Sequence, residues 1–160
     1  MKRVLRYTLP AVALLALTAL LLWFRGDIGI PRSRIAADVR ADLPAGALLQ
    51  AEYGEKLAAV LVETEGEPAL RVYVNRPGLS FGWFFRYGGS APAGQAVCFT
   101  GAGERLCAAG RGHGIVSVEI GGENPLPVPE GPFVLVLPAN RSAVFYDAAG
   151  APAEVLSRTL

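Results

Sequence analysis

Cys98 and Cys107 are the two cysteines of the chain, and the turn residues Ala102-Gly103 lie midway between them. A hairpin centred there sets the cysteines directly across from each other. At a non-hydrogen-bonded site their Cα atoms would lie about 4.5 Å apart, at the short end of disulfide geometry. The expected chemistry is a structural disulfide in an oxidising compartment, with two buried free thiols as the alternative. A metal site is the least expected, because two cysteines and the one histidine of the chain are too few ligands. No cofactor is expected.

Ser80 stands in Gly78-Leu79-Ser80-Phe81-Gly82, which fits the G-x-S-x-G elbow of serine hydrolases, and Glu104 and His113 follow it in the required order. That elbow needs a strand-to-helix turn under a large α/β sheet. Here the serine leads into a strand of a small domain, so the glycines read as turn and sheet residues and no catalytic residue is assigned. A hydrolase using Ser80 and His113 is the alternative from another functional class. The strand that follows holds Phe81, Trp83, Phe84, Phe85 and Tyr87, the densest aromatic cluster in the chain. Strict alternation puts Phe81, Trp83, Phe85 and Tyr87 on one face, with Phe84 and Arg86 on the other. Such a face is either domain core or a platform for a glycan, a peptide or a partner's strand, with Trp83 and Tyr87 as candidate binding residues.

Weaker signals are structural. Gly101, Gly103, Gly110, Gly112 and Gly114 precede no helix and make no phosphate cradle. Glu63, Glu65 and Glu67 read as a solvated acidic tip, and the sequon Asn140-Arg141-Ser142 has no role in a bacterial chain. Thirteen arginines against two lysines, with abundant Ala, Gly and Pro, fit a GC-rich bacterial genome.

These residues need elements to hold them. Apolar runs of strand length cover 47–53, 56–64, 69–75, 81–87, 95–100, 104–109, 114–120, 133–137, 143–147 and 154–157, with turn residues such as Arg76-Pro77-Gly78 between them. The proline-rich stretch Leu126 to Pro132 is an extended connector that cannot sit inside a sheet. The expected fold is all-β, a single small β-sandwich or partly open barrel. Ahead of it, Ile35, Val39 and Leu43 recur at a spacing of four, which predicts a short amphipathic helix entered near Pro31 and ended before Pro44, its stripe packed on the β domain, the more usual outcome, or lying on the membrane.

The order of Gly78-Leu79-Ser80 leading into Phe81 to Gly89, then Ile115-Val116-Ser117-Val118-Glu119-Ile120, then Phe145-Tyr146-Asp147-Ala148-Ala149-Gly150 resembles small membrane-anchored or secreted proteins of Gram-positive bacteria. The resemblance covers roughly residues 47 to 155. It implies an extracytoplasmic setting and carries no activity or site residues.

Tyr7 to Phe24 is an uncharged run of 18 residues with Lys2, Arg3 and Arg6 before it and Arg25 after it. As a helix it would extend about 27 Å, close to the hydrocarbon thickness of a bilayer. Leu20-Leu21-Leu22-Trp23-Phe24 offers no small residues for cleavage, so the run is expected to be an uncleaved transmembrane signal anchor, with Trp23 in the interfacial belt and Pro10 in the first turns. The expected division is a basic tail over 1–6, the anchor over 7–24, a juxtamembrane linker over 25–45 and an extracytoplasmic β domain over 46–160. Arginines on both sides of the run nearly balance, so the outward orientation rests on the short N-terminal tail and the cysteines. Residues 1–43 carry seven Lys/Arg and three acids, whereas residues 44–160 carry eight and eleven. The basic end suits anionic headgroups, and the acidic remainder argues against nucleic acid. The expected function is a single-pass cell-membrane protein whose outer domain binds or scaffolds an envelope protein, peptide or glycan. A cytoplasm-facing regulator of inverted topology is a further alternative.

Overall fold

The computed structural model describes residues 2–43, 47–76, 78 and 80–160, without the side chains of 2–7, 9 and 49. Pro44, expected just past the short helix, Pro77, expected in a turn, and Leu79 of the Gly78-to-Gly82 motif lie outside the described residues. Helix α1 runs Lys2–Phe24; a 3-10 turn at Arg32–Arg34 leads into helix α2, Ile35–Asp42. The strands are β1 Leu48–Tyr53, β2 Leu57–Val62, β3 Ala69–Asn75, β4 Trp83–Ser90, β5 Ala96–Gly101, β6 Glu104–Ala109, β7 Ile115–Ile120, β8 Leu126–Pro127, β9 Phe133–Pro138, β10 Ala143–Asp147 and β11 Val155–Thr159. Pro31 precedes the 3-10 turn in an extended conformation rather than opening a helix.

The fold is mainly β, and its strands form three sheets in the orders β1-β2-β3-β4, β11-β5-β6-β9 and β10-β7-β8, none of them closed. They stack with the β5-containing sheet in the middle. Alternate residues along each strand face opposite interiors. Leu57, Leu61, Leu70 and Val72 of the first sheet meet Val97, Phe99, Leu106 and Val134 of the middle sheet in one core. The opposite face of the middle sheet, Cys98, Cys107 and Phe133, packs on Ile115, Val118 and Phe145 of the third. Where a small β-sandwich or partly open barrel was expected, three open sheets stack. Every residue of β2 is buried because α2 covers its remaining face: Ile35 and Val39 are fully buried against Ala58, Val60 and Val62, with Leu43 beside them. The stripe read at a spacing of four therefore belongs to the β domain's own core. The proline-rich connector contributes only the two-residue β8, at a sheet edge, where a missing donor is tolerated.

Pro10 lies in the helix interior rather than its first turns, where it removes one i→i−4 bond. Among the described residues no helix is long and apolar enough to cross a membrane, so the expectation of a transmembrane anchor over 7–24 finds no support there. The helix stops at Gly26, whose φ of 69° admits a left-handed cap. The Asp27 amide donates to Leu22 O and the Gly26 amide to Trp23 O, the paired bonds of a Schellman motif.

Candidate functional site

The aromatic cluster sits on β4, and the register of that strand decides which rings are available. Along β3, Val72 pairs with Tyr87 but Tyr73 pairs with Phe85, leaving Arg86 as an unpaired bulge residue. A bulge shifts the two-residue period by one, so side chains before and after it exchange faces. Trp83 and Phe85 share the face covered in part by α2, whereas Tyr87 turns to the first core and stacks on Phe99 with centroids 4.7 Å apart. The single aromatic face expected from alternation is thereby divided. Trp83 is buried at 7% exposure and Tyr87 is half-buried on the opposite face, so the two candidate binding residues do not form one platform. Phe85, at 52% exposure, meets Tyr73 edge-on at 5.7 Å, and Phe81 is 59% exposed. Arg76 lies over the Phe84 ring, 4.2 Å from its centroid.

Trp83, the first residue of β4, and Phe81 just before it bond the segment that leaves α1. Gly29 N donates to Phe81 O at 2.7 Å, Ile30 N to Trp83 O at 2.9 Å, Phe81 N to Asp27 O at 2.7 Å and Trp83 N to Ile30 O at 2.8 Å. Residues 27–30, expected as part of a linker, instead make two isolated bridges at the entry to β4, Ile28 with Phe81 and Ile30 with Trp83. The contact is close: a Cβ at Gly29 would lie 2.4 Å from Trp83 O, and one at Gly82 would lie 2.8 Å from Ile30 O. Both positions require glycine. A groove of about 460 Å³ runs along this junction, flanked by Trp23 of α1, Ile28, Pro31 and Arg34 on one side and Trp83 and Phe85 on the other.

The remaining candidates are engaged elsewhere. Ser80 Oγ donates to Asp27 Oδ1 at 3.4 Å, at the foot of α1. His113 is buried against Phe133 in the second core; its Nδ1 accepts from the Ile115 amide at 2.9 Å, which leaves Nε2 protonated and donating to Gly131 O at 3.1 Å. Glu104 receives the amides of Glu55, Lys56 and Leu57 at 2.7, 3.0 and 2.6 Å and so clamps the β1–β2 turn. The serine, histidine and acid that follow the hydrolase order thus belong to three separate hydrogen-bond networks. Cys98 and Cys107 are register partners with Cα atoms 4.0 Å apart and their sulfurs bonded, both buried against the third sheet. Glu63, expected in a solvated acidic tip, is paired with Arg111. Among the described residues no three His, Cys, Asp or Glu side chains gather as a metal site would require.

Sequence reasoning missed the pairing of 27–30 with β4 and the role of Glu104, since neither long-range contact leaves a local pattern. The alternating Asp27-Ile28-Gly29-Ile30 was the one available sign of a short strand. No protein-family model, curated protein or solved structure matches the chain.

Proposed function

We propose that the chain is a single-pass, membrane-anchored protein of the bacterial cell envelope whose β domain, outside the cytoplasm, binds or scaffolds a partner without catalysis. One observation carries the anchor: the apolar side chains of α1 are uncovered on every side. Val12, Leu14, Leu15, Leu17, Leu20 and Leu21 are all exposed, and no described residue of α1 belongs to any of the three cores. The described part of α1, apolar on every side, needs an apolar surrounding, and the 23 residues of the helix extend about 35 Å. Thr18, the polar residue in its middle, donates its hydroxyl to Leu14 O at 2.9 Å, as a side chain facing lipid must. The buried cystine favours the outer orientation. The non-catalytic half of the reading is supported by the separate structural duties of Ser80, Glu104 and His113.

Alkaline washing of membranes is the test of the anchor. The whole chain is expected to stay in the pellet and a chain lacking 7–24 to be released; recovery of the whole chain in the supernatant would refute the anchor. Protease outside intact spheroplasts is expected to digest residues 25–160, and their protection would establish the inverted topology. Covalent labelling by a fluorophosphonate that is lost in Ser80→Ala would replace the binding role with hydrolysis.

A further inference from the structure

We infer that the foot of the β domain is itself a membrane-contact surface: Phe81, Phe85 and Ile28, together with Trp23 and Phe24, seat the domain in the headgroup region of the bilayer that holds α1. The inference rests on the anchor reading above and adds to it that the domain does not swing free on a tether.

Three observations carry it. The exposed apolar side chains at the end of α1 and those of the domain border one groove. Trp23 and Phe24 end the helix at 69% and 78% exposure, Ile28 is bridged to Phe81, and Trp23 and Phe85 flank one groove. Isolated exposed rings are ordinary, but a contiguous apolar patch marks an interaction surface, and aromatic rings at a helix exit suit the interface.

Second, the connection is stiff. Two bonds of the Schellman motif and four of the 27–30 pairing with β4 leave no residue between Phe24 and Ile30 without a backbone bond on itself or its neighbour. A domain joined this way keeps its foot at the depth where the helix emerges.

The charges fit as well. Arg34 is exposed on the groove itself and Arg25 is exposed beside it, where it pairs with Asp27 at 3.2 Å; Asp38, the acid of the groove, accepts the Tyr73 hydroxyl at 2.6 Å. Cationic side chains beside exposed rings match anionic headgroups above acyl chains.

The test uses the whole chain in vesicles of phosphatidylcholine and phosphatidylglycerol, with p-benzoylphenylalanine replacing one exposed residue at a time. Illumination at position 15 reports the anchor, at 81 and 85 the foot, and at 116 and 126 the third sheet, and intact mass reads the adduct. Lipid adducts are expected at 15, 81 and 85 and not at 116 or 126. An adduct at 15 with none at 81 and 85 overturns the seating and leaves the anchor standing. Crosslinks from 81 and 85 into a second copy of the chain overturn it in favour of self-association. No adduct at 15 overturns the anchor and the seating together. Positions 81 and 85 lie outside every core, so the fold tolerates the probe; Phe81→Trp and Phe85→Trp in vesicles of brominated lipid repeat the measurement by quenching of the emission each adds to that of Trp23 and Trp83, with unquenched added emission counting against the seating.

Discussion

Glu104 and Tyr73 use polar groups to fasten elements that are distant in sequence. The Glu104 carboxylate, on the middle sheet, accepts three amides from a turn of the first sheet, and Gly54 has no side chain because a Cβ there would meet that carboxylate at 2.5 Å. Hydrogen bonds to a charged acceptor contribute more than neutral ones, so Glu104→Ala is expected to cost about 2–3 kcal/mol in denaturant unfolding. Glu104→Gln, which keeps one acceptor oxygen, costs less. Tyr73 is buried and donates to Asp38 Oδ2 at 2.6 Å, tying α2 to β3. Burial, then the Asp38 hydrogen bond, push its phenol pKa above the ordinary tyrosine value. The native state therefore keeps this proton at pH values where the unfolded chain has released it. The stability this contributes is complete below about pH 10 and falls as pH rises further. Tyr73→Phe is expected to cost about 1 kcal/mol at neutral pH and to flatten the alkaline decline, as read by denaturation midpoints across pH.

At the scale of elements, the β4 bulge and the β5–β6 hairpin respond differently to their sequences. The hairpin was legible: turn residues at Ala102-Gly103 fix its centre, the centre fixes the register, and Cys98 opposes Cys107 as alternation requires. The bulge was not, since alternation assumes an unbroken ladder and nothing in Phe84-Phe85-Arg86 announces the residue that drops out. For the same reason the strands and α2 could be read from local period and turns, whereas the third sheet's place and the pairing of 27–30 depend on contacts between distant stretches. Removing the cystine by Cys98→Ala with Cys107→Ala is expected to cost about 2–3 kcal/mol, the modest figure for so short a loop, while leaving the far-ultraviolet circular dichroism intact. Gly29→Ala drives a methyl into the Trp83 carbonyl and is expected to cost about 1–3 kcal/mol. Hydrogen exchange at the Phe81 and Trp83 amides, which pair with 27–30, is expected to accelerate in that variant while β6 amides stay protected.

For the whole molecule, the division of labour is between a helix that shares no core and a β domain that holds three. A chain starting at Arg25 is accordingly expected to keep its unfolding midpoint and its cystine while losing the alkali-resistant association with membranes; a large drop in midpoint would mean that α1 is part of the fold. The stack of sheets has one further property, set by Gln50. Its side-chain amide donates to Val134 O at 3.0 Å and its carbonyl accepts from Val134 N at 3.0 Å, reproducing a strand-to-strand rung between β1 and β9. Unpaired sheet edges invite other chains to add strands and to aggregate. With that pair of bonds Gln50 takes up both backbone groups of Val134 on the β9 edge. A strand approaching β9 at Val134 therefore finds the donor and the acceptor there already engaged.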